Sequence, residues 1–207
     1  GPFVVFDCTA VNDCNDNAVP DALELSLAGQ ENLIWSRQPA LASAYRSDAD
    51  PTGGSVQIIG GIVRTLMTKQ IEEVRVWGVY SPGDAPLAPN FTLRIYAPDP
   101  NNAGLPGAIE YAETGIAATR TGVGTRQGIT LYRIDLTPSS PPTLTHGLHW
   151  VEVRDNTAGS ADSFQWSTSD YDVGINSLIF SNDTPPVTNW NYTSINPSMS
   201  LELVAAP

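Results

Sequence analysis

The feature that most constrains this chain is the rhythm of its apolar residues from about residue 33 onward. Segments of five to seven residues alternate apolar with other side chains, and clusters of Gly, Pro, Asn and Asp separate them. FTLRIY (91–96) puts Phe91, Leu93 and Ile95 on one face and Thr92, Arg94 and Tyr96 on the other. LYRIDL (131–136), LHWVEV (148–153), SFQWSTS (163–169), NSLIFS (176–181) and MSLELV (199–204) follow, and VRVWGVY (74–80) alternates before becoming almost wholly apolar. Successive side chains of a strand point to opposite sides, so this rhythm buries one face of a sheet. The intervening clusters SPGDAPLAPN, PDPNNAGLPG, TPSSPPT, RDNTAGSAD and SNDTPPVTN carry the residues that turns require. The expectation is an all-β chain, an antiparallel jelly-roll-like β-sandwich of about eight to ten strands. It has no long helix, no repeat at a fixed period and no low-complexity tract.

Composition removes several functions. The chain has 207 residues, with 10 Lys+Arg against 22 Asp+Glu, so its formal net charge is 10 − 22 = −12. Affinity for nucleic acid comes from neutralising phosphates, and a chain of this charge whose only lysine is Lys69 is badly equipped for it. Docking on anionic lipid is disfavoured for the same reason. No apolar run approaches the roughly 18 residues of a membrane helix. Charged residues are only 15% and hydrophobic residues 41%, which suits a packed core rather than an acidic disordered tail.

The first 32 residues have a different texture, and the domain division read from the sequence is 1–32 and 33–207. A short apolar strand, Phe3-Val4-Val5-Phe6, leads into an Asx-rich loop and then the helical stretch DALELSLAG (21–29). Asp21 is a good N-cap there, Glu24 completes a capping box, and Gly29 is a natural stop. The two cysteines, Cys8 and Cys14, flank a small loop, and a disulfide between them would suit an oxidising compartment. Two free thiols are the alternative, and two ligands alone do not complete a zinc site. Lysine poverty, abundant Thr, Ser and Asn, and sequons at Asn90, Asn182 and Asn191 agree with an extracellular location.

The loop between the cysteine pair and the helix carries the strongest chemical signal. With Asp13 as position 1, oxygen-bearing side chains fall at positions 1, 3, 5, 9 and 12: Asp13, Asn15, Asn17, Asp21 and Glu24. Val19 at position 7 would offer its backbone carbonyl. This is the ligand order of an EF-hand-type calcium loop, closed by a bidentate Glu24 on the first helical turn. Position 6 departs from the pattern, since Ala18 stands where a glycine usually makes the sharp turn. The incoming helix is also missing. A metal-free Asx-rich turn that caps the helix is the alternative reading. Calcium is the cofactor expected, in a structural rather than a sensory role, because a lone half-hand has no groove-opening partner.

DCNDNAVPDALEL resembles the DCNxNxxPD calcium-binding repeats, similar to dockerin-type and thrombospondin type 3 loops, of large secreted bacterial proteins. The stretches VRVWGVY, FTLRIYAPDPNNAGLPGA, YRIDLTPS, GLHWVEVRDNT and FQWSTS resemble β-sandwich domains of such surface proteins, over most of residues 70–170. The resemblance implies an extracellular or surface-attached protein and a sandwich fold. It implies no common enzymatic activity.

No catalytic constellation assembles. His146 and His149 form an H-x-x-H pair, but residues three apart on a strand point to opposite sides, so a zinc site is not expected. There is no G-x-S-x-G elbow. TGVGTRQG (121–128) lacks the P-loop lysine and a following helix, so it reads as a hairpin loop. Glu110, Glu113, Asp135 and Glu152 alternate with apolar neighbours, the pattern of a solvated face, although a facing carboxylate pair would show only in three dimensions. The expectation is a non-enzymatic protein.

Binding features are more visible. Trp77 and Trp150 sit in apolar strands and read as core. Trp190 and Tyr192, among Asn residues, suit a carbohydrate-stacking platform, with Trp166 as a further member. An aromatic plug at one end of the sandwich is the alternative reading. Phe3 to Phe6 could be an edge strand of its own sheet or a donor strand for a neighbouring copy, and the sequence does not separate the two. The functional expectation is an extracellular structural or adhesive protein, stabilised by calcium and self-associating into a filament through its N-terminal strand. A carbohydrate-binding module acting on extracellular polysaccharide is the alternative.

Overall fold

A computed structural model describes residues 32–48, 57–81, 88–156, 163–169, 178–181, 190–192 and 198–206. The calcium-loop residues Asp13, Asn15, Asn17, Val19, Asp21 and Glu24, the pair Cys8 and Cys14, the strand Phe3 to Phe6 and the helical stretch 21–29 lie outside these residues.

Every named element among the described residues is a strand. The chain order begins β1 (Asn32–Arg37), β2 (Pro39–Arg46), β3 (Ile58–Thr65), β4 (Lys69–Ser81) and β5 (Asn90–Asp99). It continues with β6 (Asn102–Ala117), β7 (Thr119–Arg126), β8 (Ile129–Leu136), β9 (Thr143–Leu144) and β10 (Gly147–Asp155). It ends with β11 (Ser163–Ser169), β12 (Leu178–Ser181), β13 (Asn191–Tyr192), β14 (Ser198–Met199) and β15 (Leu201–Ala205). The count exceeds the eight to ten expected because glycine-rich and mixed segments also pair. The stretch TGVGTRQG is not simply a loop: β7 runs through Arg126, and Gln127 and Gly128 alone turn the chain into β8. Both turn residues have positive φ (51° and 83°), the geometry of a type I′ hairpin that matches the twist of the flanking strands.

The strands form two antiparallel sheets packed face to face. One has six strands in the order β13-β12-β3-β10-β5-β6. The other has nine and is organised by β4, whose residues 74–78 pair with β8 on one side. The opposite side of β4 is shared, β15 taking residues 71–76 and β11 taking residues 78–81. Among the described residues β1 and β7 pair on one side only, with β15 and β8 respectively.

The period-2 pattern becomes the core. Phe91, Leu93 and Ile95 of β5 and Val151 and Val153 of β10 point inward from the six-stranded sheet. Val74, Val76, Ile134, Leu136, Phe164, Trp166, Leu201 and Leu203 meet them from the other. Burying each such side chain contributes roughly 1.5–3 kcal/mol before the entropic cost of ordering it. The ring of Phe164 ties the layers together: it meets Phe91 of the opposite sheet edge-to-face at 5.2 Å and Tyr80 of its own sheet at 5.6 Å. Close packing fixes Gly78 on β4, where a Cβ would sit 2.6 Å from the Gln165 carbonyl oxygen and nearer still to the Phe164 ring. Ser47 and Asp48 clip the two sheets at one edge. The Ser47 N–H donates to the Phe164 carbonyl at 2.9 Å, its own carbonyl accepts from the Asp155 N–H at 3.0 Å, and the Phe164 N–H donates to the buried Asp48 carboxylate at 3.1 Å.

Candidate functional site: the outer face of the six-stranded sheet

The outward positions of a sandwich sheet are ordinarily polar and solvated. On the six-stranded sheet they are not. On β5 they are Thr92, Arg94 and Tyr96, and on the neighbouring β10 they are Trp150, Glu152 and Arg154. The antiparallel register sets Trp150 opposite Tyr96, Glu152 opposite Arg94, and Arg154 opposite Thr92. On the other side of β10, Trp150 is opposite Ile62 and Glu152 is opposite Gly60 of β3. A large side chain facing Glu152 is therefore absent on the β3 side and present on the β5 side.

This face is covered. Trp150 and Glu152 are fully buried, and Tyr96, Arg154 and Ile62 nearly so. Ile62, Tyr96 and Trp150 form an apolar cluster of their own, joined by the half-buried Leu105, Leu148 and Trp190. Trp190, immediately ahead of β13, meets Tyr96 at 5.8 Å with the ring planes 82° apart. Tyr96 lies on β5, three strands beyond β12 in the sheet order, so the residue carrying this indole lies over the outer face.

Beneath the aromatics is a charged group. Glu152 accepts a hydrogen bond from the Tyr96 hydroxyl, and its other oxygen lies 3.2 Å from Arg154 Nη1 and 3.7 Å from Arg94 Nη1. Arg154 Nε donates to Asn156 Oδ1 at 3.1 Å. The Trp150 indole N–H and Arg94 Nε have no hydrogen-bond acceptor among the described residues. Burial pushes the Tyr96 phenol up, reinforced by the charge and hydrogen bond of Glu152 and opposed by Arg94. Burial presses the Arg154 guanidinium down; Glu152 opposes this, while Arg94 adds to it. Two guanidinium charges against one carboxylate leave the trio at +1, inside a chain of net charge −12.

The sequence-derived residues separate here. Trp190 takes its place over the outer face, and Tyr192 lies two residues on, in β13, paired with Ile179 of β12. Trp166 does not join them, which corrects its assignment to the platform. It is fully buried in the core between the sheets, and its indole N–H donates to the Ser200 carbonyl at 2.7 Å. Phe164 and Trp166 share the inward parity of β11, so alternation alone consigned Trp166 to the interior. Trp77 and Trp150 are buried as expected, but on outward faces: Trp77 packs with Val79 and Leu131 outside the larger sheet.

The carboxylates are also redistributed. Glu152 and Asp135 are buried rather than solvated. Asp135 belongs to a ladder on the outer face of the nine-stranded sheet, where Arg75 faces Glu73 at 2.9 Å, Glu202 at 3.5 Å and Asp135 at 3.9 Å, and Arg133 meets Asp135 at 2.8 Å. Glu110 reaches Nδ1 of the buried His149 at 2.7 Å, and His149 Nε2 lies 2.9 Å from the Thr145 carbonyl. Both ring nitrogens are thus committed, as befits a structural histidine. Glu113 accepts hydrogen bonds from the Tyr111 hydroxyl and from the Ser139 N–H. Partial burial pushes its carboxyl up, and these two bonds outweigh that and hold it below the ordinary range. Among the described residues no group of three or more His, Cys, Asp or Glu side chains is arranged to hold a metal ion.

Sequence reasoning missed the Arg94–Glu152–Arg154–Tyr96 group. Its only trace was the outward half of the alternation in FTLRIY and LHWVEV, which carries unusually large and charged side chains. Nothing local states that these two segments are neighbours. The chain matches no protein-family model, and no curated protein shows significant similarity to it.

Proposed function

We propose that this chain is an extracellular, non-catalytic adhesive module, a jelly-roll-like sandwich whose N-terminal segment is clamped by calcium and whose outer aromatic face takes hold of polysaccharide. The observation that carries the reading is the placement of Trp190 against Tyr96 over the outer face, with Arg94 two residues away on the same side of β5. The half-buried Trp190 indole, backed by the buried Tyr96, offers a flat apolar surface on which a sugar ring stacks, and neighbouring polar donors fix the orientation of the hydroxyls. The committed hydrogen bonds of His149 and Glu113 and the ion-paired Asp135 fit structural roles, which supports a non-catalytic reading. Cys8–Cys14 and the loop from Asp13 to Glu24 fit the compartment and the metal. The test is retention on insoluble polysaccharides of the full chain and of Trp190→Ala, each shown to be folded. Retention that depends on Trp190 supports the reading, and equal retention of both proteins, or of neither, refutes it.

A second reading, self-association into a filament, draws on one feature of the fold. β6 runs for 16 residues with β5 as its only strand partner among the described residues, and Ile109 on it is 53% exposed. Such an edge accepts an added strand, and Phe3 to Phe6 of a neighbouring copy is the apolar segment to supply it. Glu110 and Glu113 guard the middle of β6, so addition would fall on its Asn102–Ile109 end. Negative-stain electron microscopy with calcium and then with EDTA tests this. Filaments that disappear on deletion of Phe3 to Phe6 support it, and monomers throughout refute it.

A further inference from the structure

We infer that Arg94 and Trp190, with Tyr96 packed behind the indole, form a subsite for a sugar ring that bears a carboxylate, carried on an otherwise neutral glycan. The inference rests on the polysaccharide reading above and specifies the ligand. Arg94 is the residue that directs it. A guanidinium carries five N–H donors in a planar fork and ordinarily spends them on carboxylates or carbonyls. The Arg94 Nε has no hydrogen-bond acceptor among the described residues, and its Nη1 stands 3.7 Å from its ionic neighbour Glu152, with the Tyr96 hydroxyl as its other polar neighbour. Glu152 is already engaged by the Tyr96 hydroxyl and by Arg154 at 3.2 Å. The Arg94 side chain is also the accessible one, 13% exposed where those of Arg154 and Glu152 are 5% and 0%.

The charges point the same way. Arg94, Arg154 and Glu152 sum to +1, and one carboxylate received at Arg94 brings the group to neutrality. A carboxylate would take N–H donors that Glu152, at 3.7 Å, leaves without a hydrogen bond, while the pyranose ring to which it is attached meets the half-buried Trp190 ring. Arg94 and Tyr96 are alternate residues on one face of β5, which puts their Cα atoms roughly 6.5–7 Å apart, within the span of one substituted sugar. The chain's net charge of −12 restricts the ligand further. A polyuronate would be repelled along its length, whereas a single acid on a neutral backbone meets local attraction with little long-range penalty beyond about 8 Å of screening.

The experiment is isothermal titration of the full chain with three probes: a neutral xylo-oligosaccharide, the same oligosaccharide bearing one glucuronate branch, and polygalacturonate. The branched acid should bind about 10- to 100-fold tighter than its neutral counterpart, the range expected for one charge-assisted contact. Its affinity should fall with added salt, and polygalacturonate should be the weaker acid ligand. Arg94→Gln should abolish the preference for the acid, bringing the neutral and acidic oligosaccharides to the same affinity, and Arg94→Lys should retain part of it. Trp190→Ala should weaken both oligosaccharides. Equal affinity for the neutral and acidic probes, or an acid preference that survives Arg94→Gln, overturns the subsite while leaving the polysaccharide reading standing. Absence of binding to all three probes overturns both. Circular dichroism and melting of each variant separate loss of binding from loss of fold.

Discussion

Replacing Glu152 with Gln probes the outer face most directly. The substitution keeps the shape of the side chain and removes its charge. Glu152 is fully buried, Arg154 is 4% exposed, and the two meet at 3.2 Å. With the carboxylate gone, Arg154 keeps its bond to Asn156 as its one partner among the described residues and faces Arg94 without the negative charge of Glu152. Removing one partner of a buried ion pair costs about 3–5 kcal/mol, because the other charge is left desolvated and uncompensated. That is a large part of the roughly 5–15 kcal/mol that holds a domain together. In a sandwich of this size, at about 2–4 °C per kcal/mol, the melting temperature should fall by about 6–20 °C. Urea unfolding followed by tryptophan fluorescence gives the free energy directly. The double variant Glu152→Gln/Arg154→Gln should be less destabilised than the sum of the two single variants, since it removes the stranded charge along with its partner. A loss below about 1 kcal/mol for Glu152→Gln, or strict additivity in the double variant, would refute the argument that a desolvated pair underlies this face.

Three further outcomes follow from other parts of the molecule. Gly78→Ala should destabilise the sandwich by about 1–3 kcal/mol or more, because the new methyl meets the Gln165 carbonyl oxygen at 2.6 Å and the Phe164 ring; an unchanged urea midpoint would show that β4 and β11 do not approach this closely. Burial raises the phenols of Tyr80, Tyr96 and Tyr111, helped by the nearby carboxylates Asp155, Glu152 and Glu113 respectively. The folded state therefore holds protons that the unfolded state releases above about pH 10, so stability is full below that pH and falls as pH rises further. Phenolate absorbance should lag in the native protein and rise together with unfolding, and complete ionisation near pH 10 with the fold intact would contradict the burial. Calcium should stabilise the full chain, by about 2.7 kcal/mol at a hundred times its dissociation constant, and Glu24→Gln should remove that increment; no calcium heat in a titration of the full chain would dispose of the loop.

Much of the fold was legible in the sequence because strand alternation is a local property. Phe91, Leu93 and Ile95 face the core, as FTLRIY required, and the same parity sends Arg94 and Tyr96 outward. The strands that went unread show the limit. β7 is glycine-rich and exposed, and β3 reads IIGGIVRT, so neither advertises an apolar face. Each is a strand because its backbone groups find partners on β8 and β10, which is a tertiary fact.

The candidate site marks the division most sharply. By itself the sequence determined that Trp190 stands among polar turn residues, that Arg94 and Tyr96 share one side of a strand, and that Trp150, Glu152 and Arg154 share one side of another. It determined as well the spacing of oxygen ligands from Asp13 to Glu24, which depends on order along the chain. Only the tertiary structure decided that Arg94 meets Glu152 and that Trp190 lies on Tyr96. It also decided that Trp166 turns its indole toward Ser200 inside the core, and that a carboxylate with the alternation of a solvated face is fully buried. The physical reason is that burial and ion pairing across a sheet depend on which strands are neighbours and in what register. Both are set by contacts between residues far apart in the chain, such as the 58 positions between Arg94 and Glu152, and no local pattern carries that distance.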